Sequence, residues 1–270
     1  MSSARAPAGI PASFLYCRPG PACDNLSRTM HRLTYSKEGL IRFISHLDLI
    51  RLWQRVFRRA GLSVRMSRGF SPHPLISFGP PLPLGVAGLR EMLDVSFDPA
   101  QDMSRAGERI RAALPAGISL VDMRPIPESG ASLCAEAALA RYEAVLKGAD
   151  AEGAAEKCVA ALGAASIVVK RRTAKGERYR DIRPLIHELR CEHGPGGTAR
   201  LLCTVGIGEK GTVNPHELLE AVLGIPGERA RKIPLARVDI LPGGDTIHNR
   251  PRGPALRGRQ PRGGVAGRRP

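Results

Sequence analysis

Aromatic side chains are scarce in this sequence and make up only 4% of its 270 residues. The hydrophobic share of 43% still lies close to the usual globular value, so leucine, valine, isoleucine and alanine can build a core. The chain also lacks a run of about 18 apolar residues, the length that a transmembrane helix requires. We therefore expect a folded cytoplasmic protein without membrane contact, with few rings available to stack on bases.

Closely paired cysteines are absent as well. The six cysteines are scattered, and several fall in apolar patterns that are typical of reduced, buried cytosolic thiols. His187, Cys191 and His193 alternate along a predicted strand, and Cys203 on the next strand could add a fourth metal ligand. This set lacks the C-x₂-C spacing of zinc sites, so we interpret it as part of a core face and expect neither a metal nor a cofactor.

Acidic residues are few relative to basic ones. The chain has 25 Asp and Glu against 41 Lys and Arg, which gives a formal net charge of +16. A surface field of that sign attracts polyanions and makes RNA the expected partner. A coding bias toward Arg, Ala, Gly and Pro is the alternative explanation for part of this excess.

The two ends of the chain lack apolar periodicity. Residues 1–29 are rich in Pro, Ala, Gly and Ser and are predicted to be a disordered leader, with Met30 as an alternative start. Residues 242–270 hold seven arginines and one aspartate, which predicts a disordered basic tail similar to Arg/Gly-rich RNA-binding segments. A solvated tail without a partner is the alternative.

Between these ends the patterns predict an α+β fold built from two ferredoxin-like halves. Residues 30–127 give the order β-α-β-β-α-β. Its first strand or hairpin is expected over 31–44, its first helix begins after the capping residue Ser45, and a short strand lies near 63–66.

The second half repeats this order after a break. Residues 128–139 are small and polar and are predicted to be a linker. Residues 140–241 then carry the same elements with one extra strand in the middle, and Asn214 followed by Pro215 predicts the start of the last helix.

Basic residues cluster at two places in these halves. The first predicted helix carries four arginines on one face, and a basic turn lies in the second half. We predict phosphate contacts for eight residues: Arg51, Arg55, Arg58, Arg59, Arg68, Lys170, Arg171 and Arg172. The alternative is a solvated face and a solvated turn.

A motif loop rich in proline and glycine follows the first predicted helix and runs from Ser67 to Gly85. Proline lowers the entropy of ordering, and glycine lets the backbone approach a ligand closely. Such a rigid loop beside the arginines would suit phosphate and sugar contacts. The alternative is a structural crossover in which Phe70 and Phe78 fill the core.

These segments carry a resemblance to a known family. The strings FISHLDLIRLWQRVFRRAGL and SRGFSPHPLISFGPPLPLGVAGLREMLDV, with the later DIRPLIHELR, resemble the radical SAM-linked protein family, whose activity is unassigned. The resemblance covers roughly residues 31–240 and implies a position beside, or fused to, a radical S-adenosylmethionine enzyme. It implies motif positions at Ser45, His46, Asp48, Arg51, Gly69, Phe70, Pro72, His73, Pro74, Ser77, Phe78, Gly79, Pro83, Gly85, Glu91 and Asp94.

The chain lacks the C-x₃-C-x₂-C motif that would hold the iron–sulfur cluster of a radical SAM enzyme. The leading interpretation is therefore an RNA-binding accessory to such an enzyme, without independent catalytic activity. One alternative is a metal-independent RNA-processing enzyme that uses His46 and His73 as acid and base, with Asp48 as a further candidate. The other is a protein-interaction module that docks the radical enzyme.

Overall fold

The computed structural model of the protein describes residues 29–128, 131–173, 176–208 and 211–243, without the side chains of Arg172 and Thr173. The predicted leader and tail, apart from the residues at their inner ends, lie outside the described residues. No helix within the described ranges is both long and apolar enough to cross a membrane.

The first half has the predicted order of elements. They are β1 (Thr29–Lys37), α1 (His46–Arg59), β2 (Ile76–Phe78), β3 (Ala87–Val95), α2 (Ala106–Ala113) and β4 (Ile118–Pro127). Strand β1 pairs antiparallel with β3 and β4, and β2 pairs antiparallel with β3. The spatial order β4-β1-β3-β2 with two crossover helices confirms the ferredoxin-like arrangement.

The second half repeats this topology. Its elements are α3 (Leu133–Glu136), β5 (Ala137–Lys147), α4 (Ala154–Gly163), β6 (Val168–Thr173), β7 (Gly176–Asp181), β8 (Ile186–Gly194), β9 (Thr198–Gly208), β10 (Gly211–Thr212), α5 (Pro215–Leu223), α6 (Gly227–Ala230) and β11 (Leu235–Pro242). The order β11-β5-β9-β8 corresponds strand for strand to that of the first half. The α+β fold with two ferredoxin-like halves is therefore confirmed.

The two halves share one sheet. Strand β11 pairs in parallel with the start of β3, where Ala236 lies opposite Ala87 and Arg237 lies opposite Gly88. This pairing joins nine strands of the described residues into one sheet, although each half keeps its own hydrophobic core beneath its own helices. The junction brings residues of the two halves together.

Helix α1 forms for reasons that are legible in the sequence. Its apolar residues recur every three or four positions, and Leu49, Trp53 and Val56 are among those buried against the first sheet. The helix ends before Gly61, which adopts a positive φ of 65° that an L side chain resists. Burial of one face leaves the opposite face of α1 in solvent.

Two predictions for the first half differ from the structure. The segment 31–44, predicted as a strand or a hairpin, is a single strand that ends at Lys37, and residues Gly39–Phe43 then form a 3₁₀ turn. The predicted strand near 63–66 is reduced to two isolated bridges, from Val64 to Phe97 and from Met66 to Pro74. The motif loop begins at Ser67, directly after these bridges, so the strand pairing does not extend further.

The middle of the second half also differs from the prediction. The single extra strand is in fact a hairpin of β6 and β7, which forms a separate two-stranded sheet. A 3₁₀ turn over Arg183–Leu185, with Pro184 near its start, then separates β7 from β8. Within the segment predicted as the linker 128–139, the structure has α3, and β5 begins at Ala137 rather than after residue 139.

Candidate functional site

The first turn of α1 is fixed by a capping arrangement that the sequence predicts. Ser45 Oγ accepts a hydrogen bond from the Asp48 N–H at 3.1 Å, and the Ser45 hydroxyl donates to Asp48 Oδ2 at 2.7 Å. The Ser45 hydrogen bond, assisted by Arg51 at 3.4 Å, lowers the pKa of Asp48. Asp48 is therefore an ionised capping residue at neutral pH.

The two candidate acid/base histidines have different surroundings. The His46 ring packs edge-on against Phe78, with ring centroids 5.5 Å apart. His73 Nδ1 lies 2.8 Å from Ser67 Oγ, and the His73 backbone N–H donates to the same oxygen at 3.0 Å. Within the described residues no hydrogen bond or ring contact joins the two imidazoles, so their pairing stays a prediction.

The first part of the motif loop is a short hairpin-like projection. The Ser67 N–H donates to the His73 carbonyl at 2.8 Å, and Gly69 at its tip has a φ of 131°, in the region that favours glycine. Phe70 beside it is fully exposed, so this ring does not fill the core. Arg68, Pro72 and the other tip residues are exposed as well.

The second part of the motif loop returns to the fold. Pro74 and Ser77 are half-buried, and Phe78 packs against the first core. The Gly79 N–H donates to the Met92 carbonyl at 2.9 Å. A structural crossover is the alternative role that the sequence allows for the entire motif loop. This second part of the loop has that role, whereas the exposed tip does not.

Exposed arginines line the solvent side of α1. Arg51, Arg55, Arg58 and Arg59, which we call the arginine face, are three to four residues apart and therefore neighbours on the helix surface. Arg51 is paired with Asp48, at an exposed fraction of 69% for its side chain. No ion pair to a carboxylate joins the other three within the described residues. The structure thus gathers the four predicted arginines on one free surface.

The basic turn of the second half is different. Lys170 Nζ lies 2.7 Å from Glu177, and Arg171 Nη2 lies 2.8 Å from Glu217. Arg171 Nη2 also donates to the Thr212 carbonyl at 3.1 Å. The side chain of Arg172 lies outside the described part of the chain. Two of the three predicted phosphate ligands here already have carboxylate partners, so their positive charge is largely neutralised locally.

A buried charge cluster of Lys37, Glu91 and Arg237 lies where β3 and β11 meet. Arg237 Nε donates to Glu91 Oε1 at 2.9 Å, and its Nη2 donates to the Pro80 carbonyl at 2.7 Å. The exposed fractions of Lys37, Glu91 and Arg237 are 3%, 5% and 1%. Arg237 therefore links the second half to β3 and to the motif loop.

Sequence reasoning predicted Glu91 but missed Lys37 and Arg237. Each missed residue interrupts an otherwise apolar pattern on the inward side of its strand, which is the signal that could have found it. Gly88 is also required here, because a Cβ at this position would collide with the Glu91 side chain.

Asp94, the remaining motif carboxylate, belongs to a separate network. Arg32 Nε and Nη2 donate to its two oxygens at 2.8 and 2.9 Å, and Arg32 Nη1 donates to Glu136 at 2.9 Å. The two strands place Arg32 and Asp94 directly opposite each other. This bidentate pair holds β1 to β3 and engages both carboxylate oxygens of Asp94.

The candidate metal ligands do not converge. A register shift between Ile186 and Glu188 turns His187 to solvent, and His193 is exposed as well. The interpretation of these histidines as core residues is therefore wrong, whereas Cys203 is buried in the second core and Cys191 packs against it. Within the described residues no group of three or more His, Cys, Asp or Glu side chains has a metal-binding arrangement.

The chain belongs to the family described as "Uncharacterized protein conserved in bacteria (DUF2344)", whose pattern matches residues 31–215. This range contains α1, the motif loop and β3. No curated protein matches the chain.

Solved structures give distant similarities. One is a Cbf5-Nop10-Gar1 complex, at 11% identity and a TM-score of 0.41, with 79% of this chain and 49% of that chain covered. Another is an unknown protein from Galdieria sulphuraria, at 14% identity and a TM-score of 0.21, with 79% of this chain and 98% of that chain covered. The present chain thus spans about half the length of the first of these.

Proposed function

We propose that this DUF2344 protein binds RNA through the arginine face of α1 and serves as an accessory to a radical S-adenosylmethionine enzyme. The observation that carries the RNA proposal is the set of three exposed arginines, Arg55, Arg58 and Arg59, that no ion pair engages within the described residues. Free guanidinium groups three to four residues apart suit the repeated phosphates of a nucleic-acid backbone.

The motif loop adds a second candidate contact for RNA. It follows α1 in the chain and presents Arg68 and the fully exposed ring of Phe70 at its tip. An exposed ring on an ordered loop suits stacking on an unpaired base, which contributes about 1–3 kcal/mol per base. Arg65 at the base of the loop is held by Glu128 at 3.2 Å. We therefore expect single-stranded rather than duplex RNA as the ligand.

The open face of the sheet is a weaker candidate surface. Two of its cations are already engaged, since Arg32 pairs with Asp94 and Arg200 Nε lies 2.6 Å from Glu143. An RNA phosphate would have to displace a carboxylate from each of them, whereas Arg55, Arg58 and Arg59 require no such exchange.

The test is the salt dependence of RNA binding by the full chain. The variant Arg55→Gln/Arg58→Gln/Arg59→Gln should lose affinity and should reduce the slope of log K against log salt by about 2, because each phosphate contact contributes about 0.7 for single strands. A matched variant, Arg105→Gln/Arg190→Gln/Arg229→Gln, removes three exposed arginines that have carboxylate partners. Equal losses in the two variants would contradict the arginine face.

The basic tail requires its own control. Replacing its seven arginines by serine in the full chain separates the tail contribution from that of α1. The proposal expects the slope difference between the two arginine triples to persist in this background. If all binding disappears with the tail arginines, the arginine face is not the RNA site.

Exposed apolar side chains near the start of α1 favour a protein-docking function in addition. Leu40 is 88% exposed, Leu47 64%, Leu84 63% and Phe43 53%, and all four lie near the start of α1 or in the motif loop. Exposed apolar surface of this kind is typical of interaction sites. We propose it as the contact for the radical enzyme. Leu40→Glu/Leu84→Glu should abolish co-purification with that enzyme and leave RNA binding unchanged, and unchanged co-purification would contradict the assignment.

A further inference from the structure

The two ends of the shared sheet differ in how their edges are protected. At one end lies β4, whose edge carries Pro125 and Pro127 and whose pairing with β1 shifts register beside Thr34. Prolines and irregular pairing of this kind keep an edge strand from pairing with another chain. At the other end lies β8, which has nine residues and contains no proline. Among the described strands β8 pairs with β9 alone, so its outer edge is open.

Three charged residues alternate along β8 on the side of the sheet opposite the second core. They are Glu188, Arg190 and Glu192, and the Arg190 guanidinium lies 2.9 Å from Glu188 and 4.0 Å from Glu192. Charged side chains usually discourage edge pairing, but this acid–base–acid order is complementary to itself. If two copies pair antiparallel around Cys191, Arg190 of each copy lies opposite Glu192 of the other. A pairing around Arg190 would instead bring two arginines together.

The irregular start of β8 favours the pairing around Cys191. The register with β9 shifts between Ile186 and Glu188, and Arg183 Nη1 already donates to the Ile186 carbonyl at 3.2 Å. The Glu188 carboxylate accepts from the Thr204 hydroxyl at 2.9 Å. A pairing around Leu189 would need this irregular start, whereas the pairing around Cys191 uses only residues 188–194.

Helix α4 adds an apolar contact at the same end of the sheet. This helix packs over β8, and Lys157 Nζ donates to the Leu223 carbonyl at the end of α5 at 3.0 Å. Val159 is two positions further on, about 200° around the helix from Lys157. It therefore lies on the flank that faces away from α5, and it is 71% exposed. A second copy that pairs with β8 would bring its own α4 against this flank.

We propose that two copies of this chain associate through their β8 edges, antiparallel around Cys191, with the Val159 flanks of the two α4 helices in contact. Such a dimer has a two-fold axis, so each Arg190–Glu192 contact occurs twice. Because pairing over residues 188–194 is short, we expect a reversible, concentration-dependent association. The interface lies in the second half and does not use the arginine face, so it does not rest on the proposed RNA binding.

Sedimentation equilibrium of the nuclease-treated full chain tests this proposal. We expect a monomer–dimer equilibrium in the wild type. Arg190→Glu and Glu192→Arg each convert two attractive pairs into two like-charge pairs, so each should raise the dissociation constant of the dimer about tenfold or more. The control Arg105→Glu reverses an exposed arginine of α2 that also has a carboxylate partner, and it should keep the wild-type constant. A wild type that stays monomeric at every concentration, or an equal effect of Arg105→Glu, would overturn the proposal.

Mixing the two single variants tests the register and shows that both still fold into a competent edge. In the mixture every position 190 again lies opposite a residue of opposite charge at position 192. Native mass spectrometry with one variant isotopically labelled should therefore show a heterodimer that outcompetes both homodimers. A mixture that contains no excess of heterodimer would contradict the pairing around Cys191.

Discussion

The buried charge cluster makes an ordered prediction for three substitutions. Glu91→Gln removes the only carboxylate found in the cluster and leaves Lys37 and Arg237 as two buried cations. Breaking a buried pair in this way costs about 3–5 kcal/mol. Arg237→Met removes one cation from the cluster. The Lys37 ammonium remains near Glu91 and still balances the negative charge of that carboxylate.

The two cation substitutions should therefore cost less. Arg237→Met deprives the Pro80 carbonyl of its 2.7 Å donor, and we expect a cost of about 1–3 kcal/mol. Lys37→Met removes the second positive charge of the cluster and one hydrogen bond to the Ile44 carbonyl, and these effects oppose each other. We expect its free energy of unfolding to lie within about 1 kcal/mol of the wild-type value.

Urea denaturation of the full chain measures all three. The comparison is valid where the m-value stays constant, because a change in midpoint then reports stability alone. The reasoning predicts the order Glu91→Gln, then Arg237→Met, then Lys37→Met, from most to least destabilising. It would be refuted if Glu91→Gln cost no more than Arg237→Met, or if Lys37→Met proved the worst of the three.

Two further predictions concern the cap of α1 and the thiols. Ser45→Ala should lower the free energy of unfolding by about 1 kcal/mol in urea denaturation at neutral pH, and a change of a few tenths would contradict the capping role. Because the pKa of Asp48 is lowered in the folded state, its contribution is present above its unfolded pKa and is lost as pH falls through its folded pKa. The difference between Ser45→Ala and wild type should therefore shrink in acid. Burial raises the pKa of Cys158 and Cys203 to about 12, whereas Cys134 is exposed. Maleimide at pH 8 should label Cys134 and spare the two buried thiols in a peptide mass map, and rapid labelling of Cys203 in the folded chain would contradict this burial.

Local patterns were sufficient to predict much of the fold. The spacing of Leu49, Trp53 and Val56 and the cap at Ser45 predict α1 to within a residue or so. The repeated order of strands and helices predicts both ferredoxin-like halves. These features are encoded by neighbouring residues, so a linear reading detects them.

Contacts between residues far apart in the chain could not be predicted from local sequence patterns. The parallel contact of β11 with β3 joins residues nearly 150 positions apart, and the Glu91–Arg237 separation is 146. No local periodicity encodes such a partner, so the cluster emerges only from the folded chain. The motif loop also carries two roles that composition alone does not separate, since Phe70 is exposed and Phe78 packs on the core.

Ultraviolet crosslinking of the full chain to single-stranded RNA, followed by peptide mass mapping, tests the central claim most directly. The account predicts crosslinked peptides from α1 and the motif loop, including the one that contains Phe70, with yields that fall in the Arg55/Arg58/Arg59 triple variant. Crosslinks confined to residues 242–270, or spread without preference over both halves, would contradict RNA binding at the arginine face.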